Sequence, residues 1–382
     1  MAAEAGADWI FFLDADDVLD PQAFVRIIPY LGKYDAVWGA IHELADDEEG
    51  GVEREGQVLN MWSLNQLLAN DPWLTLQIGH FVRTDVALAN PFDPQMDCGE
   101  DFDYYLRLWS SYRCVKVAVP FFFNRRNAHA GGPRAATGRQ WREVVQRLLC
   151  EKCAATGFYS EFTYRGETFR FLVSNPFDII QRQHLKQRFF EVAELEYLDN
   201  WVGPGARILE VGAYVGNHVV YYSRFLHPQS IDVFEPNPEA ISLLRRNLDA
   251  NSVREADLSH LGLAIADKKG TFDVVCSDVS NLGAARLQAA ATGSVRAVTL
   301  DEVVAHPVNF IKIDVEGMEL AALAGARKII GAWRPKIMIE VFREHIPAFR
   351  QWMDDNRYGV ARAFECVHAV NFLIQPDDGA PT

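Results

Sequence analysis

Ile208-Leu209-Glu210-Val211-Gly212-Ala213-Tyr214-Val215-Gly216-Asn217-His218, followed by Ile231-Asp232-Val233-Phe234-Glu235-Pro236, reads as a strand, a glycine turn, a helix and a second strand that ends in an acid. Gly212 and Gly216 open backbone angles closed to other residues and let the chain pass close to a ligand. Glu235 lies about 20 residues beyond the turn, where an acid holds ribose hydroxyls in nucleotide-binding βαβ units. The spacing E-x-G-x-x-x-G is looser than G-x-G-x-x-G, the pattern that seats a pyrophosphate on a helix N-terminus. S-adenosylmethionine has no pyrophosphate, so this turn suits it better than it suits NAD. The same turn also occurs as a purely structural device in α/β folds.

A second block lies downstream. Val308-Asn309-Phe310-Ile311-Lys312-Ile313-Asp314-Val315-Glu316-Gly317-Met318-Glu319 is an apolar strand that runs into charges and a glycine before a helix. Charges at the carboxyl end of a buried parallel strand face the crevice where α/β sheets bind ligands. With Leu300-Asp301-Glu302-Val303 before it and Arg334-Pro335-Lys336-Ile337-Met338-Ile339-Glu340-Val341 after it, this block resembles the FkbM-type family of S-adenosylmethionine-dependent O-methyltransferases. The resemblance runs from about Gly166 to Gln375 and implies a doubly wound, Rossmann-like class I methyltransferase sheet of seven strands.

The resemblance also implies roles for residues. Glu210 would lie near the amino group of the methionine moiety. Gly212, Ala213, Gly216 and Asn217 would line the turn, Glu235 would accept from the ribose hydroxyls, and Asp267 would meet the adenine edge. Asp314, Glu316 and Glu319 are the acids nearest the transfer point. Asp314 is the first choice for the acceptor-side or cofactor-amine contact, with Lys312 pairing it and Glu316 capping the next helix as the plainer reading. His218 opens the helix after the turn, where its imidazole would serve as acceptor base near neutral pH or pack locally. Tyr214 and Val219 stand where the family usually has asparagine and threonine or serine, which leaves the backbone of this loop as the source of cofactor contacts.

The chain has 382 residues, enough for two cores, and its 49% hydrophobic content marks it as globular. A formal charge of -15 argues against nucleic acid, whose phosphates call for a basic surface. Met1-Ala2-Ala3-Glu4-Ala5 lacks the basic start of a signal peptide and no apolar run reaches the length of a membrane span, so the expectation is a cytoplasmic protein with no transmembrane segment. Six scattered cysteines do not form a disulfide framework, and Cys150-x-x-Cys153, a lone pair within a helical stretch, reads as structural. His42, His80, His129 and His368 have no partners at ligand spacing.

Trp9-Ile10-Phe11-Phe12-Leu13-Asp14-Ala15-Asp16-Asp17 reads as a buried strand ending in three carboxylates, and Cys98-Gly99-Glu100-Asp101-Phe102-Asp103 sets further acids before a helix bearing Arg107. Clustered hard oxygens suit Mg²⁺ or Mn²⁺ held against a diphosphate. The arrangement resembles the family-2 glycosyltransferases of the GT-A fold. That resemblance implies Asp14, Asp16 and Asp17 as metal-side acids and Asp101 as acceptor base, with Phe92-Asp93 and Trp109 as supports. A complete member carries about half a domain of βαβ structure before this strand, and here only about a turn of helix precedes it. Flanking strands are then missing and an edge is exposed. A truncated gene, a remnant kept as scaffold, or an enzyme completed by another polypeptide would account for this. Asp14 to Asp17 also reads as an acidic loop, with Asp20-Pro21 as an N-cap and first-turn proline.

Three segments follow: residues 1–135, partial and GT-A-like; 136–157, a helical linker; and 158–382, the methyltransferase domain. Ala128 to Arg139 reads as a glycine-rich loop, Trp141 to Ala154 as a helix, Phe158 to Val173 as a hairpin about Arg165-Gly166, and Arg188 to Trp201 as a helix. Asp46 to Gly51 reads as a solvated acidic turn. The expected function is O-methylation of a sugar hydroxyl on a glycan or glycolipid. Methylation of a small-molecule hydroxyl in a secondary metabolite, a bifunctional glycosyltransferase and methyltransferase, and an assembly subunit for a partner glycosyltransferase stay open, as does a homodimer.

Overall fold

The computed structural model of the protein describes residues 6–44, 51–125, 134–275, 286–290 and 292–377. Contacts divide the chain into one unit of Met1–Phe158 with Val173–Pro176, and a second of Tyr159–Leu172 with Phe177–Thr382.

The second unit is built on a seven-stranded sheet. Its order is Ala256–Asp257, Ser230–Phe234, Arg207–Val211, Phe310–Ile313, Lys336–Phe342, Ala369–Pro376 and Tyr358–Glu365. The first five strands are parallel, and the last two close the sheet antiparallel. The strand order reverses between Arg207–Val211 and Phe310–Ile313, so the crevice at their carboxyl ends is a topological switch point.

Strand alternation sorts side chains onto two cores. Leu209, Val211, Phe234, Ile311, Ile313, Ile337 and Ile339 pack on one face. Ile208, Ile231, Val233, Phe310 and Met338 pack on the other, with the aromatic helix Asn217–Tyr221 and the hairpin strands Tyr159–Tyr164 and Glu167–Leu172. Both faces are dry, which is why these strands read as unbroken apolar runs. A smaller sheet of Leu263–Ile265, Val295–Val298, Gly270–Val275 and Arg286–Ala289 belongs to the same unit.

Between the hairpin and the first parallel strand lies a helix the sequence reading lacked, Ile179–Leu185. It is capped by Asp178, which accepts from the Ile180 and Gln181 amides. The next helix begins at Val192 and not at Arg188, because Glu191 takes the left-handed conformation at φ 53° and forms its N-cap.

In the first unit Trp9–Phe12 is an edge strand. Among the described residues it pairs antiparallel with His80–Arg83 alone, in a sheet completed by Ala36–Trp38 and Cys114–Lys116. It is half-buried and not the buried strand expected, because an edge position leaves one side without a neighbour. A second sheet joins Val18–Leu19, Phe122–Arg125, His42–Leu44 and Val52–Glu53.

The long helix of this unit runs Arg134–Thr156, so residues 134–139 are helical and not part of a loop. Ala135 and Ala136 favour that extension. Residues 128–133 of the expected loop, residues 46–50 of the acidic turn, His129 and Cys276 lie outside the described residues. Asp20 behaves as a local cap through the Gln22 amide, although the helix itself starts at Ala23.

Candidate active site

Gly212 follows the first parallel strand at φ 88°, and its amide donates to the Phe234 carbonyl of the neighbouring strand. A methyl group there would sit 1.8 Å from the Asp314 carbonyl oxygen, so only glycine lets the two strand ends meet. Tyr214 also takes positive φ, 44°, and directs its amide to Glu235 Oε2 at 2.8 Å. Its hydroxyl donates to Asp178 Oδ2 and accepts from Gln181 Nε2, which holds this strained residue in place. Gly216, at φ 84°, lies against Leu244 and opens the helix. The turn is thus a backbone surface, with the tyrosine side chain turned to structural work.

Glu235 is buried and accepts from two amides, Tyr214 through Oε2 and Asn237 through Oε1, both at 2.8 Å. Burial pushes its carboxyl up to about 7 despite those two donors. It lines a cleft of ≈ 570 Å³ whose apolar wall includes Phe234, Leu263, Ile265 and Val274. A larger cavity of ≈ 2080 Å³ shares Gly212, Tyr214, Glu235, Asp314 and Glu316 with the cleft, and extends over Glu191, Glu340, Phe342 and His368.

Carboxylates gather on this larger side. Asp314, Glu316 and Glu340 bring oxygen atoms within 4.8 Å of one another. Burial, and then the charges of Asp314 and Glu316, push Glu340 up to about 9. Lys312 Nζ donates to Asp314 Oδ2 at 3.0 Å. Burial alone would lower the Lys312 ammonium, but Asp314, Glu210 and Glu191 together carry it above its ordinary value. Glu191, with a side chain only 10% exposed, is 3.1 Å from His218 Nε2. Burial raises it, yet His218, Lys312 and the Asn371 amide, which donates to Oε1, hold it below the usual carboxylate value.

The residues named from sequence separate here into two groups. Gly212, Glu235, Asp314 and Glu316 line both cavities. Glu210 does not line either. Alternation puts it on the face of Ile208 and Phe310, fully buried, 3.8 Å from Lys312 Nζ and 3.7 Å from His218 Nδ1. His218 is buried behind Glu191 and lies off both linings. Asn217 spends its side chain on the Phe190 main chain and on His184 Nε2. Ala213 is buried and Asp267 is exposed, and both lie off these linings. Glu319 accepts from the Gly317 amide at 2.6 Å, and the N-cap of its helix is Met318, so Glu316 is not the cap. Glu191 and Glu340 were missed. Glu340 sits in the quoted strand, but only strand order brings it beside Asp314.

In the first unit, Asp17 is tied to Asn124 and the Arg125 amide, and burial pushes it up to about 6. Asp101 Oδ1 accepts from Trp141 Nε1 and the Phe102 amide, and burial raises its carboxyl, with Asp14 adding a smaller charge effect. Among the described residues, Asp14, Asp16 and Asp17 are not one of the groups close enough to share a metal ion. Trp109 packs on Trp38 in the core, and Phe92 stacks on Tyr104. Among the described residues no helix is long and apolar enough to cross a membrane.

The profile of the methyltransferase FkbM domain matches residues 210–360. Among solved structures, the chain is similar to methyltransferase FkbM from Methylobacillus flagellatus KT, at 16% identity over 60% of this chain and 60% of that one, with a TM-score of 0.33. It is also similar to a ribosomal protein L11 methylase from Lactobacillus delbrueckii subsp. bulgaricus, at 12% identity over 48% of this chain and 77% of that one, TM-score 0.33. A third is the M. jannaschii tRNA m1G37 methyltransferase, at 11% identity over 57% and 54%, TM-score 0.34. No curated protein sequence matches. The exclusion of nucleic acid finds no support in the comparisons and rests on net charge alone. The match spans the glycine turn, the second acidic strand end, Asp314 and Glu340, and residues 210–360 are accordingly an S-adenosylmethionine-dependent methyltransferase domain of the FkbM type.

Proposed function

We propose that this protein transfers a methyl group to a hydroxyl oxygen, and that the acceptor is a sugar of a glycan or glycoconjugate. The observation that carries this reading is the pair of adjoining cavities. One is narrow and apolar-walled with a single buried acid, the other is wide and lined by carboxylates, and both meet at Gly212, Glu235 and Asp314.

The narrow cleft fits S-adenosylmethionine. Gly212 lines it where a side chain would strike the Asp314 carbonyl, and Glu235 has its carboxylate on the wall where ribose hydroxyls would donate. When bound, S-adenosylmethionine supplies an electrophilic methyl group that needs alignment and exclusion of water more than a strong base. Phe234, Leu263 and Ile265 would cover the adenine. Asp314, held by Lys312, stands where the two cavities join and would take the acceptor proton or hold the cofactor amine. Glu316 and Glu340 would orient a hydroxyl-rich acceptor, since an acidic wall accepts from hydroxyls and repels phosphates and carboxylates. His218, one contact behind, would position Glu191.

For the first unit we propose the GT-A-like reading as a source of acceptor binding, with Mg²⁺ or Mn²⁺ at Asp14 and Asp16 and base work at Asp101 only if that unit is itself catalytic.

The test is methyl transfer from labelled S-adenosylmethionine to a fractionated extract of cells lacking the gene. Label in the polysaccharide or glycolipid fraction is the expected result. Label in the small-molecule fraction would move the acceptor to a secondary metabolite, and label in RNA would overturn the sugar assignment. A protein that binds no cofactor, and whose Asp314 and Glu235 variants behave as wild type, would be an assembly subunit.

A further inference from the structure

The sheet face that carries Leu209, Val211 and Phe234 also carries Asp232, an acid in the middle of a buried parallel strand. Its side chain is 7% exposed, and Oδ2 accepts no hydrogen bond, although His306 Nε2 is 3.1 Å away. His260 Nε2 stands 3.8 Å from Oδ1. Asp257, the register partner of Asp232 on the edge strand, completes with Asp232 and His260 a group whose ligand atoms lie within 4.8 Å of one another. Three donors, one imidazole and two carboxylates, thus converge from two separate segments of chain, and His306 approaches Asp232 from a third.

His306 Nδ1 is 3.1 Å from the Pro307 carbonyl oxygen, and Nε2 faces Asp232 Oδ2. An ion pair with His306 would not explain why a second imidazole and a second carboxylate meet the same buried acid. A tetrahedral Zn²⁺ with ligands near 2.1 Å has ligand-to-ligand edges of about 3.4 Å. The 3.8 Å from His260 Nε2 to Asp232 Oδ1 is close to that value, and the ligand atoms of Asp232, Asp257 and His260 all lie within 4.8 Å of one another. Mixed nitrogen and oxygen donors suit Zn²⁺, whereas Mg²⁺ and Ca²⁺ take oxygen.

We propose that Asp232, Asp257 and His260 form a structural zinc site that ties the 257–263 segment to the sheet, with His306 orienting Asp232. The His260 ring stacks on Phe234 at 4.7 Å and 9°, and the Gly262 amide donates to the Glu235 carbonyl. Phe234 and Leu263 are walls of the narrow cleft, so the ion would stiffen that wall from behind. The site lies apart from Asp314 and its neighbours and rests on none of the methyl-transfer reading.

The test uses the full chain, stripped with a chelator and dialysed. Zn²⁺ alone is titrated by calorimetry, Co²⁺ is read by its ligand-field absorption, and amide hydrogen exchange is followed over 257–263. The expected result is one Zn²⁺ per chain, a tetrahedral Co²⁺ spectrum and slower exchange with metal. His260→Gln should weaken binding at least ~100-fold, and His306→Ala, in a half-exposed loop beside Asp232, about tenfold. His345→Ala removes another histidine beside carboxylates and should leave binding as in wild type. Absence of stoichiometric binding in the wild type, or equal binding by wild type, H306A and H260Q, would overturn the site. So would binding without any change in the exchange of 257–263, as far as its structural role goes.

Discussion

Two strands in this chain run from apolar residues into a cluster of acids, and only one of them makes a convergent site. In the second unit, Ser230–Phe234, Phe310–Ile313 and Lys336–Phe342 are parallel, and all three end on the same edge of one sheet. Glu235, Asp314, Glu316 and Glu340 therefore meet around one opening. In the first unit, Trp9–Phe12 is an antiparallel edge strand, and Asp17 is drawn off to Asn124 and Arg125 while Asp101 bonds Trp141. A run of acids after a strand is a site only where neighbouring strands point the same way. Parallel order, more than acid count, concentrates charge.

The strongest way to break this comparison is at the backbone cradle. Gly212→Ala should cost about 3 kcal/mol, from overpacking against the Asp314 carbonyl and from left-handed strain, and should abolish binding of S-adenosylhomocysteine. Gly203→Ala, at φ 85° with open space around it, should cost only about 1 kcal/mol and leave binding alone. Urea denaturation and calorimetry on both variants separate the clash from the strain. Equal costs would show that the close approach of the two strand ends is not what requires glycine.

Glu235→Gln keeps the shape of the acid and removes its charge. It should weaken S-adenosylhomocysteine about tenfold, or about 1.4 kcal/mol, near the low end of what a hydrogen bond to a charged group contributes, and unchanged affinity would remove Glu235 from the cofactor site.

Glu340 tests the acid cluster through pH. Its folded value of about 9 lies above the ordinary 4.5, so the folded state holds the proton more tightly than the unfolded chain. Its contribution to stability is present in full below the ordinary value and is lost as pH rises towards 9. Glu340→Gln should flatten that loss and be the more stable protein near pH 8 by at least ~1 kcal/mol. Parallel stability curves for wild type and variant would show that the three carboxylates do not share a crevice.

The smallest effect is expected at the other strand. Asp14→Asn with Asp16→Asn should leave cofactor affinity within about twofold and stability within ~0.5 kcal/mol. Mn²⁺ binding present in the wild type and lost in this variant would show that the first unit also gathers its acids into a site.

The glycine turn and the two acidic strand ends were legible because each rests on local physics. Residues buried on both sheet faces give unbroken apolar runs, and Gly212 is required by its own φ and by a strand end at van der Waals range. Glu210, Asn217 and His218 were misleading because they lie in the same motif. Side-chain parity along the strand sends Glu210 inward to Lys312, and helix packing commits Asn217 to Phe190. The long helix from Arg134 was obscured by Gly138, which costs a helix about 1 kcal/mol without stopping it.

Sequence alone determined which segments are parallel strands, where the backbone must turn left-handed, and that an acid waits about 20 residues beyond. Tertiary structure decided which acids share an opening. Glu191 lies far in sequence from Glu340 and Asp314, and Asp232 far from His306, and pairings of that kind follow from strand order and loop closure, which no local pattern encodes. Alternation along a strand tells that successive residues face opposite ways. Only the packed sheet tells which way is core, which is cavity, and which is a neighbouring charge.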